Sequence, residues 1–366
     1  MLTEKIVSQS DIDERLSHIN ELSTFPIVLY GAGLHASEIE SYLQGKKICI
    51  SGCFVDDRYL NFEHRVSLPV HSFDTIKETF DKFNVVVGFC NDPVVVHERF
   101  NRIKGEKVNS VQFIDCRFWQ EFEKLDLASI KKNENNYNKV CAFFSDEKSQ
   151  NTYVEFINAK LTHDPSRLYG LYSKPQYFPD DLPIFIPTSD DIYIDGGAYT
   201  GDTLIDVMAM TGARGCAKYY AFEPDAKNAE KLRSVVDARH WNFVKVIEKG
   251  LWSQPSRVNF AENNDTGSAV NAIGNVQIDV DAIDTFNIPA SFIKMDIEGS
   301  EYKALVGARE TILKYRPNLL ISLYHKPEDL LQIPLYIKSL CPEYRLYLRI
   351  HGYYTEELVL YATVGD

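Results

Sequence analysis

The segment Tyr193-Ile194-Asp195-Gly196-Gly197-Ala198-Tyr199-Thr200-Gly201-Asp202-Thr203 ends an apolar strand in a glycine turn that carries one acid. Glycines let a backbone approach a ligand closely and adopt conformations closed to other residues, and in doubly wound α/β folds such turns lie where ligands bind, at the carboxyl ends of parallel strands. A carboxylate in the first turn repels a pyrophosphate and attracts an ammonium group. Asp195 therefore points away from a dinucleotide and toward the sulfonium amino acid S-adenosylmethionine, with Gly196, Gly197, Tyr199, Thr200 and Thr203 as companion contacts. Glu223 ends the following strand, Ala221-Phe222-Glu223-Pro224, where a carboxylate is placed to accept hydrogen bonds from ribose hydroxyls. Beyond a third strand, Leu251 and Trp252 offer a flat apolar surface for an adenine, although Trp252 reads more readily as a partly buried core aromatic.

A second group lies downstream in Phe292-Ile293-Lys294-Met295-Asp296-Ile297-Glu298-Gly299-Ser300-Glu301. Strand alternation would turn Lys294, Asp296 and Glu298 to one crevice. Ser322-Leu323-Tyr324-His325-Lys326 places His325 at another strand end, as the expected proton acceptor, with Asp296 or Glu298 orienting it or an acceptor molecule. Asp296, Glu298, Glu301 and His325 form an oxygen-rich set that a hard cation such as Mg²⁺ would suit. Lys294 competes for those carboxylates, and no metal is expected.

These residues need a scaffold. Strand-like runs at 192–195, 219–223, 243–247, 292–296 and 319–323 alternate with helical stretches. The last two runs, 345–350 and 358–364, are separated by too few residues for a parallel crossover and so form an antiparallel hairpin. The fold class is α/β, with a mostly parallel seven-stranded sheet closed by a C-terminal antiparallel hairpin over residues 191–366. Residues 1–125 read as a smaller Rossmann-like unit, opening with a helix over 3–22 and continuing through strands at 27–30, 48–55, 85–89 and 111–114. Residues 126–190 read as a helical connector that caps the second unit.

In the first unit Gly31-x-Gly33-x-x-Ala36 follows a strand, and Asp56-Asp57 follow the next, a spacing that fits a nucleotide fingerprint with Gly31, Gly33, His35, Asp56 and Asp57 as candidates. Nucleotide or nucleotide-sugar binding, NAD(P) binding, and a ligand-free dimerisation scaffold all remain open for this unit. Tyr42 to Lys46 is the one Tyr-x-x-x-Lys noted, too close to the glycine turn for dehydrogenase chemistry.

Composition narrows the partners. The chain has 366 residues, 45% hydrophobic, and a net charge of −13, which supplies no electrostatic footprint for nucleic acid. No apolar run approaches the roughly 18 residues of a membrane span. Seven scattered cysteines without paired metal spacing read as buried free thiols in a reduced, cytoplasmic setting.

The segments Asp195–Thr203, Phe222-Glu223-Pro224, Lys294–Glu301 and Tyr324-His325-Lys326 together resemble the FkbM-type methyltransferase family, in matching order, and the likeness extends upstream through Ser145–Ser149 and Gln176-Tyr177-Phe178-Pro179. The resemblance implies an S-adenosylmethionine-dependent methyltransferase of class I fold acting on a hydroxyl of a sugar, polyketide or similar metabolite, here a small-molecule or glycan-precursor acceptor. It implies that Asp195, Gly197 and Glu223 hold the cofactor and that Asp296, Glu298 and His325 border the acceptor. Tyr30-Gly31-Ala32-Gly33 with Val55-Asp56-Asp57 resembles the nucleotide-sugar-binding domain of bacterial sugar acyltransferases, departing from it where Ala36 follows His35. Two other readings stay open: a nucleotide-sensing protein without turnover, and a bifunctional enzyme with an NAD(P)-dependent first domain.

Overall fold

The computed structural model describes residues 2, 4–89, 93–116, 118–212, 215–261, 269–270 and 276–365. Cys90 lies outside them. The chain divides into two compact units: Met1–Cys141 with Asn151–Tyr172 and Gly352–Glu356, and Ala142–Gln150 with Ser173–His351 and Glu357–Asp366. The expected connector is not a body of its own. Its helix Glu147–Thr162 buries Tyr153, Val154, Phe156 and Ile157, and Tyr153 and Phe156 meet Tyr137 and Phe122 of the first unit, so most of the segment is absorbed into that unit's core.

The first unit is a parallel five-stranded sheet built from β1 (Ile27–Tyr30), β2 (Gly52–Phe54), β3 (Val70–His71), β4 (Phe83–Val87) and β5 (Val108–Phe113), in the order β3-β2-β1-β4-β5. Its central strands β1 and β4 are buried at every residue, as continuous apolar runs covered by helices on both faces should be. The expected first helix begins only at Gln9, because Ser8 and Asp11 close a capping box there. The apolar run 48–55 pairs over only three residues.

The second unit carries a seven-stranded sheet of β6 (Ile192–Gly196), β7 (Lys218–Phe222), β8 (Val244–Ile247), β13 (Phe292–Met295), β14 (Asn318–Ser322), β15 (Arg345–Ile350) and β16 (Leu358–Thr363), ordered β15-β16-β14-β13-β6-β7-β8. Five strands run parallel, and β16 lies antiparallel to both β14 and β15, which gives the expected closing hairpin. Every residue of β16 is buried. The rings of Tyr193, Tyr219 and Phe292 stack across three neighbouring strands with centroids 5.1 and 5.6 Å apart, fixing the register that sets the strand tips side by side.

A second sheet was not foreseen. β9 (Gly250–Leu251), β10 (Ser256–Ala261), β11 (Ala269–Val270) and β12 (Val276–Asp281) pair in the order β11-β10-β12-β9, and Trp252 packs against Phe260, Ile278 and Val280 of this sheet. Trp252 is thus in part a packing residue. Among the six described cysteines, all free, Cys53, Cys116, Cys216 and Cys341 are buried, whereas Cys49 is exposed, contrary to expectation, and Cys141 is partly so. Among the described residues no helix is long and apolar enough to cross a membrane.

Candidate active site

The parallel register between β6 and β13 pairs Lys294 with Asp195 and Met295 with Gly196. Lys294 is buried, and its Nζ lies 3.0 Å from Asp195 Oδ1 while donating to the carbonyl of Gly197 at 2.8 Å. Tyr219 Oη donates to the other Asp195 oxygen at 2.6 Å. Asp195 has no exposed surface. The carboxylate expected to face a ligand is therefore spent inside the protein: a buried lysine on the next strand requires a counter-charge, and Asp195 supplies it. Lys294 makes its direct contacts with Asp195 and the glycine turn, which it ties to β13, while its charge also acts on Asp296.

What the turn presents outward is backbone. Gly197 has φ +73°, and a Cβ there would lie 1.9 Å from the carbonyl oxygen of Asp296. A Cβ on Gly196 would meet Leu251 at 2.6 Å. Tyr199 also has positive φ, and its N–H donates to Glu223 Oε2 at 2.8 Å, which draws the turn onto the tip of β7. The structure thus brings Gly196, Gly197, Tyr199, Glu223, Leu251 and Asp296 together. Thr203 is buried in the following helix, and Thr200 is partly exposed in the turn.

Glu223 is 6% exposed, and burial pushes its carboxyl up to about 7 against the N–H bonds from Asp225 and Tyr199. A carboxylate so desolvated is stabilised by further donors, which is what a ribose diol brings. These residues fit the adenosyl group of S-adenosylmethionine. Binding of S-adenosylhomocysteine should then lower the Glu223 pKa and release protons near pH 7. Titration calorimetry in buffers of different ionisation enthalpy should show that release in the wild type and lose it in Glu223→Gln. An enthalpy independent of buffer would contradict it. The sign for stability runs the same way: because the folded pKa is raised, the ligand-free protein keeps this group's contribution below about pH 4.5 and loses it as pH rises through about 7.

At the tip of β13 the strand ends at Met295, so alternation does not carry on to Glu298, whose φ is +54°. Asp296 Oδ2 accepts a 2.7 Å hydrogen bond from Tyr177, and Oδ1 accepts one of 3.1 Å from Tyr324. The sequence marks Tyr177 only through its motif, which gives it no role. His325 is 3% exposed, with Nδ1 3.1 Å from Glu301 and Nε2 3.4 Å from Glu298 and 3.6 Å from Asp296. Burial opposes its charge, but the carboxylates of Glu301 and Glu298 win and hold its pKa well above 6.5. The surrounding carboxylates thus favour the protonated ring. A ring favoured in its protonated form is a weaker proton acceptor than a neutral one.

Because that pKa is raised, the stabilisation from His325 is complete below about pH 6.5 and is lost only as pH climbs through the raised value. An NMR titration should leave the His325 ring protonated from pH 6 to 8. An inflection at or below 6.5 would contradict this.

Asp296, Glu301 and His325 place one potential ligand atom each within 4.8 Å of one another. Glu301 Oε1 already accepts the N–H groups of Ile297 and Gly299 as well as facing His325. Both imidazole nitrogens face carboxylates.

Residues 195–354 match the family model described as the methyltransferase FkbM domain. A search of curated proteins found no match. Among solved structures, a methyltransferase FkbM from Methylobacillus flagellatus KT aligns over 96% of this chain and 93% of its own, with TM-score 0.71 and 22% identity. An rRNA methylase from Streptococcus thermophilus aligns over 49% of this chain and 90% of its own, with TM-score 0.32 and 14% identity. The glycine turn at the end of β6 and the acid at the end of β7 thus lie within the residues that match the methyltransferase FkbM domain model, on a class I-like α/β fold similar to that of the Methylobacillus flagellatus protein.

Proposed function

We propose that the second unit transfers the methyl group of S-adenosylmethionine to a hydroxyl oxygen of a sugar or glycan precursor. The observation that carries this reading is the meeting of the Gly196–Tyr199 turn with Glu223 and Asp296 at three adjacent strand tips, a backbone cradle flanked by two carboxylates. The bound sulfonium supplies an already activated methyl carbon. Gly196 and Gly197 would let the cofactor lie against the turn, Glu223 would hold the ribose, and Leu251 would pack against the adenine.

The acceptor side needs a positioned oxygen and a place for its proton. Asp296 fits that role, with Glu298 beside it. Burial would raise the Asp296 pKa, but His325⁺, Lys294 and the hydroxyls of Tyr177 and Tyr324 outweigh it and hold the carboxylate ionised. A carboxylate is a weak base, yet it would suffice here, because a hydroxyl that is being methylated becomes strongly acidic. The proton passes to the carboxylate, leaving a methyl ether and S-adenosylhomocysteine. His325⁺ is then a positioning residue that fixes Asp296 and Glu298.

Calorimetry on the full chain tests the cofactor: S-adenosylhomocysteine should bind at one site, and absence of binding would end the reading. Mass spectrometry of surface glycans from cells with and without the gene tests the acceptor, the expected change being loss of one methyl ether on deletion. With that acceptor in hand, Asp296→Asn should lower kcat by about 10²-fold or more while S-adenosylhomocysteine affinity is kept.

A further inference from the structure

We propose that the first unit holds a separate binding site for a nucleoside diphosphate, at the carboxyl ends of β1, β2 and β4. The strand order β3-β2-β1-β4-β5 reverses direction between β1 and β4, and the crevice at such a reversal is where open parallel sheets take ligands. A cavity of about 290 Å³ opens there, lined by Tyr30, Gly31, Gly33, Asp56, Phe89 and Arg99, with Tyr59 and Phe62 at its rim.

Each part of such a ligand finds a partner. Gly31 has φ +120°, and a Cβ would lie 2.7 Å from the carbonyl oxygen of Gly88, so the turn must pass tightly between β1 and β4. Gly33 faces open space at the start of the helix Leu34–Gly45, which has no side-chain cap, and the N–H groups of its first turn are suited to phosphate. Asp56, just past β2, accepts a 2.5 Å hydrogen bond from Tyr30 and lies 3.4 Å from Arg99 Nε, yet its side chain keeps a quarter of its surface open. That is the position from which a carboxylate holds a ribose diol. Arg99 is buried, with its guanidinium 4.7 Å from the centre of the Phe89 ring.

The rim supplies the surface for a base. Tyr59 is 36% and Phe62 64% exposed, and their rings meet edge to face at 5.6 Å. The Arg58 guanidinium lies 4.7 Å from the centre of the Tyr59 ring, so it is the largely exposed Phe62 ring beside a polar crevice that suits stacking against a flat heterocycle. His35 and Asp57, candidates from the sequence, do not line it: the His35 ring stacks on Tyr354 at 5.1 Å and pairs with Glu356 at 3.4 Å.

The test is calorimetry on the full chain saturated with S-adenosylhomocysteine, so that the second unit's cofactor site is occupied, with ADP, GDP, UDP and NAD as probes. At least one nucleoside diphosphate should bind, its 2′,3′-dideoxy form should bind about tenfold more weakly, and Asp56→Asn and Phe62→Ala should each weaken it about tenfold. Phe62 is exposed enough for its removal to leave the fold intact. Absence of binding by all three diphosphates, affinity unchanged in both variants, or NAD binding more tightly than every diphosphate would overturn the proposal. None of these results bears on methyl transfer in the second unit.

Discussion

Gly197→Ala is expected to abolish binding of S-adenosylhomocysteine and to lower the melting temperature. The added Cβ would sit 1.9 Å from the Asp296 carbonyl oxygen and 3.0 Å from its carbonyl carbon, both backbone atoms of the neighbouring strand tip that no side-chain rotation can move aside. The φ of +73° adds about 1–2 kcal/mol for any L side chain. Relief requires the turn and the end of β13 to separate, which would carry Asp296 away from Tyr177 and Tyr324 and break the cradle. The expected loss of affinity is at least about 100-fold, equivalent to about 2.7 kcal/mol. Gly212→Ala is the control, because Gly212 has φ +62° but open space where its Cβ would stand. It should share the small strain cost and keep normal affinity. Wild-type affinity in Gly197→Ala would show that the ligand does not rest on this turn.

The turn itself was legible because its signal is local: a strand, glycines and an acid in sequence, followed by Glu223 after the next strand. The closing hairpin was legible for the same reason, since a short loop between two apolar runs permits few alternatives. Roles that depend on partners across strands were not. Asp195 and Lys294 meet because the β6–β13 register sets them side by side, and a register cannot be read from either strand alone. Nothing near His325 in sequence shows that Glu298 and Glu301, from another strand's end, would surround its ring. Tyr177 reaches Asp296 across 119 positions of sequence, and only its place in a recurring motif marked it. The small sheet of β9 to β12 was missed because two of its strands are two residues long, too short for a period to register.

Lys294→Met should be the most destabilising single change at the strand tips that leaves every glycine in place. Lys294 stays charged although burial opposes it, because Asp195, Asp296 and Asp202 outweigh that penalty and raise its pKa above 10.5. Its contribution is therefore complete below pH 10.5 and does not titrate near neutrality. Methionine fills the space but leaves Asp195 buried with only the Tyr219 hydroxyl, and leaves the carbonyls of Gly196 and Gly197 without the ammonium that joins them. Breaking one side of a buried pair costs about 3–5 kcal/mol, which for a unit of this size lowers the melting temperature by roughly 10 °C. Asp195→Asn should cost less, since the lysine keeps two other carboxylates and both carbonyls. The double variant should be more stable than Lys294→Met alone, because it removes the orphaned charge. Thermal denaturation of the four proteins gives the coupling directly. Additive losses would mean that Asp195 and Lys294 act independently, and would restore Asp195 as a carboxylate available to the cofactor.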